Sequence, residues 1–153
     1  MNTDNRTYEH INEDLLAQII PDYSLALAER FPKEVYKWKA IKWFQDHFDL
    51  EAEDFAGMLE TVLQKAGNLL SRKHFLAKDS IIECARYNPE HVRKMFRVLF
   101  DENVPLIERF QVFKKEAEIF YEIYPTGNLK TYQNDNSIST YLFFQYPEKC
   151  WNT

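Results

Sequence analysis

The side chains able to carry chemistry are few and scattered. The four histidines, His10, His47, His74 and His91, fall on separate stretches, and none sits in the HxxxH, HExxH or Cys/His spacing that draws metal ligands to one point. His47 alone has acids close in sequence, Asp46 and Asp49, a grouping that can bind a metal or move a proton. The same grouping is common where a helix simply stops in solvent, and on that reading no site is assigned. Serines 24, 71, 80, 137 and 139 lie outside any GxSxG pattern, and Cys84 falls on an apolar helical face that raises a thiol pKa rather than activating it. No GxxxxGK[ST] occurs, so the chain lacks the amide cradle and lysine of a P-loop. The expectation is a chain with no catalytic residue, no cofactor and no metal.

Charge is laid out unevenly, and this is the most informative feature. Residues 31–45 carry a net charge of +3 and residues 72–97 a net +4, with a −6 block at 46–64 between them. The first basic block holds Lys33, Lys37, Lys39 and Lys42 among Tyr36, Trp38 and Trp43; the second holds Arg72, Lys73, Lys78, Arg86, Arg93, Lys94 and Arg97. Cations interleaved with aromatic rings can track a phosphate backbone and stack bases, which makes Lys33, Lys37, Lys39, Lys42, Arg72, Lys73, Arg86, Arg93, Lys94 and Arg97 candidate DNA contacts. The competing reading places Trp38 and Phe44 in the core and leaves the lysines as a solvated face, attracted to the acidic block.

The elements that must position these groups read as helices. Only 3 glycines in 153 residues leave few places for tight hairpin turns, and apolar residues recur with helical period. Asn12 is expected to cap a first helix with Leu15, Leu16, Ile19 and Ile20 on one face; Pro21 should end it, and a short helix over 23–30 should follow. Pro32 opens a helix to about His47, Phe55 to Ala66 forms the next, and Gly67 or Asn68 supplies a left-handed cap. Leu69, Leu70, Phe75 and Leu76 line a connector. Asp79 or Lys78 starts a helix ending before Asn88-Pro89, where Asn88 caps a restart that buries Val92, Met95, Phe96, Leu99 and Phe100. Residues 105–124 form the longest helix, with Leu106, Phe110, Phe113, Ala117 and Phe120 inward, and Pro125 and Gly127 break it. Residues 128–136 read as a loop. Asp135 or Asn136 then caps a last helix to Tyr146, although Ile138, Thr140, Tyr141, Phe143 and Phe144 also suit a strand. The fold class expected is all-α, a single compact bundle of seven or eight helices, with a flexible N-terminus over residues 1–10 and one helical domain over 11–153.

A chain that is 45% hydrophobic, 28% charged and 16% aromatic can bury enough surface to offset its conformational entropy, which excludes disorder. The net charge of −5 gives no global attraction to nucleic acid or anionic membrane, so any DNA contact has to be local. With no spanning apolar run and no signal-peptide pattern, the expected location is the cytoplasm, without membrane contact. Cys84 and Cys150 show neither CxxC spacing nor a disulfide frame. The apolar stretch at Tyr146-Pro147 and Cys150-Trp151 is unusual for a chain end and suggests the upstream part of a longer protein.

Several strings resemble a known family. Residues 38–45 (WKAIKWFQ) with Phe48-Asp49, then 54–59 (DFAGML) and Asn68-Leu69-Leu70, are similar to the N-terminal region of McrB-like AAA-type ATPases of modification-dependent restriction systems. So are 89–97 (PEHVRKMFR), 99–102 (LFDE), 139–142 (STYL) and 146–149 (YPEK). The resemblance implies a non-catalytic helical recognition or adaptor module. Its partners would be DNA through the basic blocks, a downstream nucleotide-hydrolysing motor, or a nuclease subunit. The alternative is a stand-alone interaction or regulatory domain using aromatics such as Tyr146 and Trp151.

Overall fold

The computed structural model describes residues 13–30, 32–124 and 131–149. The expected Asn12 cap, the 1–10 terminus, the Pro125-Gly127 break, residues 128–130 of the 128–136 loop, Cys150 and Trp151 therefore lie outside the described residues. Among those described the chain is all-α: seven helices, α1 (Glu13–Arg30), α2 (Pro32–His47), α3 (Phe55–Leu63), α4 (Ala77–Tyr87), α5 (Pro89–Leu99), α6 (Leu106–Ile123) and α7 (Asp135–Gln145), with one small hairpin, β1 (Ser71–Arg72) and β2 (Phe75–Leu76). The chain divides into two units, Met1–Tyr36 and Lys37–Thr153, the division falling inside α2.

In the first unit, α1 corrects the expected break. It runs unbroken through Pro21. A proline inside a helix forfeits one hydrogen bond at a cost of about 3 kcal/mol, and good helix formers on both sides, Leu15, Ala17, Gln18, Leu25 and Ala26, carry the helix across it. The stripe of Leu15, Ile19 and Ile20, expected to be a buried face, is exposed, as are Tyr23 and Leu25.

The second unit holds the core. Ala40, Ile41 and Phe44 of α2 are buried at helical spacing, and Phe48 continues their stripe. Asp54 caps α3, its Oδ1 accepting from the Gly57 amide at 2.9 Å. A Cβ at Gly57 would fall on that carboxylate, so the close cap depends on glycine there. Helix α3 then buries Phe55, Leu59, Val62 and Leu63 and ends at Leu63, three residues earlier than expected; Gly67 takes the left-handed conformation at φ 51°.

The connector is not plain coil: Ser71 pairs with Leu76 and Arg72 with Phe75 in an antiparallel hairpin. The signal is faint because each strand has only two residues. Helix α4 buries Ala77, Ile81, Ile82, Cys84 and Ala85. Asn88 closes α4, its amide donating to the Cys84 carbonyl at 3.0 Å, and opens α5, its Oδ1 accepting from the His91 amide at 3.1 Å. Phe96 of α5 lies within 5.2–6.4 Å, ring to ring, of Phe48, Phe55, Phe100, Phe113 and Tyr141, so one side chain ties α3, α6, α7 and the residue after α2 to α5.

Helix α6 buries Phe113, Ala117 and Phe120, but Leu106 at its start, expected inward, is 51% exposed. The segment 137–146 settles as helix because burial of Ile138, Tyr141 and Leu142 at i, i+3 and i+4 outweighs strand preference. Its cap is Asn134, one residue before the earliest one expected, in a capping box with Ser137.

A polar seam fastens the stretch before α7 to the rest. Ser80 donates to the Thr131 carbonyl at 2.6 Å, which leaves Tyr121 as the donor to Ser80 Oγ, also at 2.6 Å. Gln133 is buried, donating to the Ala77 carbonyl at 3.0 Å and accepting from the Tyr141 hydroxyl at 2.9 Å. Each of these buried groups is satisfied, as a stable interior requires.

Candidate functional site

The basic residues singled out in the sequence are largely spent inside the fold. In α2, Lys37 is half-buried on the stripe that carries Ala40 and Phe44, while Lys39 and Lys42 face outward and Lys42 pairs with Asp46 at 3.1 Å. The side chain of Lys33 lies outside the described residues. Arg72, in β1, donates from Nε to the Asn68 carbonyl at 3.0 Å. Arg86 bridges Glu60 at 2.9 Å and Glu83 at 3.4 Å, and the Glu60 hydrogen bond raises its pKa. Arg97 pairs with Glu51 at 2.6 Å.

Arg93 is the most committed. Its side chain is 11% exposed; Nε meets Glu90 at 3.1 Å, Nη1 donates to the Leu50 carbonyl, Nη2 donates to the Ala52 carbonyl at 2.8 Å, and the guanidinium covers Phe55. Two of the nitrogens hold the 50–52 turn and the third is engaged by Glu90, so each already has a partner. Lys39, Lys73 and Lys94 stand exposed on α2, the hairpin turn and α5 respectively, with neither a carboxylate nor a carbonyl partner among the described residues. Acids of the 46–64 block, Asp46, Glu51 and Glu60, supply the counter-charges. Of the lysines that the solvated-face reading names, Lys42 faces solvent and Lys37 is half-buried; Trp38, expected inward, is 44% exposed, its ring 6.4 Å from Phe143, because at residue 38 the helix turns that side away from the stripe of Ala40 and Phe44.

Among the described residues, the histidines and the cysteine fall at separate places. His47 turns away from Asp46 and Asp49: its Nδ1 lies 2.8 Å from the Trp43 carbonyl and its ring stacks on Trp43 at 3.8 Å. His91 Nε2 lies 3.2 Å from Glu116 Oε2, a pairing across α5 and α6 that no sequence spacing signals. The space beside it is only about 30 Å³. Cys84 is buried, and desolvation pushes its thiol up to about 12, against a smaller lowering by the Tyr121 contact. Among the described residues no three His, Cys, Asp or Glu side chains cluster closely enough to hold a metal ion.

The feature that sequence reasoning missed is a groove of about 560 Å³ where the start of α6 meets α7, walled by Leu106, Phe110, Leu142 and Tyr146. Its polar groups are Glu102, Arg109, Ser139 and Lys149. Lys149 pairs with Glu102 and lies over the Tyr146 ring at 5.3 Å. The Tyr146 hydroxyl donates to the Phe100 carbonyl at 2.8 Å, and burial followed by the charge of Glu102 raises its pKa. Arg109 Nη1 donates to the Leu99 carbonyl at 3.0 Å, while its Nε is buried with no acceptor. A second groove of about 390 Å³ shares Leu106 and Phe110 and adds Ile107, which is 74% exposed. The sequence signal was present in the adjacent pair Leu106-Ile107, since one helix face cannot bury both.

Comparison of the chain with protein-family models, curated proteins and solved structures returns no match. Among the described residues no helix is long and apolar enough to cross a membrane.

Proposed function

We propose that this chain is a non-catalytic helical interaction module, in the setting that its sequence resembles: the upstream adaptor part of a McrB-like restriction motor, making contact with a protein subunit. The observation that carries the reading is a contrast between two surfaces. Lys42, Arg72, Arg86, Arg93 and Arg97 are neutralised by neighbouring acids or consumed by backbone carbonyls, whereas Leu106 and Ile107 stand exposed beside an apolar groove. Exposed apolar surface next to a concavity favours association with protein, because its burial is a gain that solvent cannot supply. The exposed Ile19, Ile20, Tyr23 and Leu25 of α1 add to that balance.

DNA contact is the competing form, and it rests on Lys39, Lys73 and Lys94. The test is co-expression of the chain with each product of the adjacent reading frames, followed by size exclusion with light scattering, alongside a low-salt titration with modified and unmodified duplex. The expected result is a complex of fixed stoichiometry that Leu106→Glu with Ile107→Glu dissolves, and no duplex binding. Duplex binding that weakens with salt and disappears when Lys39, Lys73 and Lys94 are all changed to Ala, with no protein complex, overturns the proposal.

A further inference from the structure

We infer that the groove between α6 and α7 receives an extended peptide segment of a partner protein, an acidic residue flanked by apolar ones, with its carboxylate gripped by Arg109. This rests on the interaction reading above and names the ligand chemistry of that site. The argument starts from the guanidinium. Arginine presents five N–H donors in a planar fork and accepts nothing. In Arg109 one nitrogen, Nη1, is satisfied by the Leu99 carbonyl, Nε has no acceptor, and among the described residues no carboxylate pairs with it. The two other charges that line the groove, Glu102 and Lys149, pair with each other, so among the described residues neither forms an ion pair with Arg109. A half-buried cation without a counter-ion is costly, and a carboxylate offers the fork two charge-assisted bonds in parallel.

Two further features select the ligand. Helix α6 has Pro105 as its N-cap with no side-chain cap, and Glu108 stands in its first turn, so the anion preference of the groove rests on Arg109 alone. Around that charge the walls are apolar, Leu106, Phe110, Leu142 and the Tyr146 ring, and the cavity is of the size that encloses a few side chains. A second groove shares the walls Leu106 and Phe110 and adds Ile107, so apolar surface for flanking side chains lies next to the first. Apolar walls about one central arginine are the composition of an interface anchor point. Nε is closed off from solvent, so the ligand carboxylate meets the guanidinium through its Nη donors, of which Nη1 also holds the Leu99 carbonyl.

The test is selection from a random dodecapeptide display library on the full chain, with affinities of enriched peptides then measured by fluorescence anisotropy. Enriched peptides are expected to carry Asp or Glu between Leu, Ile or Phe. Changing that acid to its amide, or Arg109→Gln in the protein, should each weaken binding about tenfold or more, and the two losses should not add. Leu106→Glu, at an exposed position the fold tolerates, should block the same peptides and so guards against misfolding of the Arg109 variant. Selection of peptides without a carboxylate, full additivity of the two changes, or binding of octanoate as tight as that of the peptide overturns the inference. If the subunit complex survives Arg109→Gln but not Leu106→Glu with Ile107→Glu, the interaction reading stands and the carboxylate ligand falls; if peptides bind as described and no subunit complex forms, the reverse holds.

Discussion

The ring of Tyr141 lies 5.2 Å from that of Phe96, close to edge-on at 68°, while its hydroxyl donates to Gln133 Oε1 at 2.9 Å. The pair links the aromatic centre of the second unit to its polar seam. Edge-on ring pairs add roughly 0.5–1.5 kcal/mol beyond the area they bury.

Because five rings converge on Phe96, truncating it leaves a void that no single neighbour can fill. Phe96→Ala should cost about 3–5 kcal/mol, read as a lower urea midpoint with an unchanged slope. A loss below about 1 kcal/mol would mean that the neighbouring rings collapse into the space.

At the start of α3 the ordinary preference for alanine over glycine should reverse. Gly57→Ala gains about 1 kcal/mol of helix propensity but drives a methyl into the Asp54 carboxylate that caps the helix. It should destabilise the natural chain and stabilise the Asp54→Ala variant. A double-mutant cycle by thermal melting checks this, and simple additivity contradicts it.

Cys84 should be inert while folded. Burial holds its thiol pKa near 12, so in a Cys150→Ser background Ellman's reagent at pH 8 should react only at the rate of unfolding. The sign for stability follows from the protons. Above the ordinary value of 9.0 the unfolded chain releases the Cys84 proton while the folded chain keeps it, so stability declines as pH rises from about 9 toward 12. Urea midpoints at pH 8 and pH 10.5 should diverge less in Cys84→Ala than in the parent.

Arg93 and Arg97 sit one turn apart and should answer differently to alanine. Arg93→Ala abandons the carbonyls of Leu50 and Ala52 and should cost about 2–3 kcal/mol. Arg97→Ala removes a solvent-exposed pair with Glu51 and should cost about 0–1 kcal/mol, less at high salt. Equal losses in denaturant titrations would contradict the anchoring role of Arg93.

Local rules carried the helical reading far. The Asn88-Pro89 restart, the stripe Val92, Met95, Phe96 and Leu99, and the stop of α4 at Tyr87 all follow from capping, the missing proline amide and the helical period. Two of the rules gave way, one to neighbouring helix formers and one to burial. Pro21 sits inside α1, and β-prone residues 138–144 are helical because their burial pattern has the period of a helix. The groove was illegible because Arg109, Leu142 and Tyr146 come from two helices and the residue beyond α7, and only packing sets them side by side. Charge runs misdirect for the same reason: the sequence lines up the cations of 72–97, and the fold intersperses them with acids from 46–64.

Asn88 ends one helix with its amide and begins the next with its side chain, so the elbow between α4 and α5 has no slack. Length at that joint is fixed as strictly as any side chain: one inserted residue would swing every later position of α5 about 100° around its axis and carry Phe96 out of register with the rings it meets.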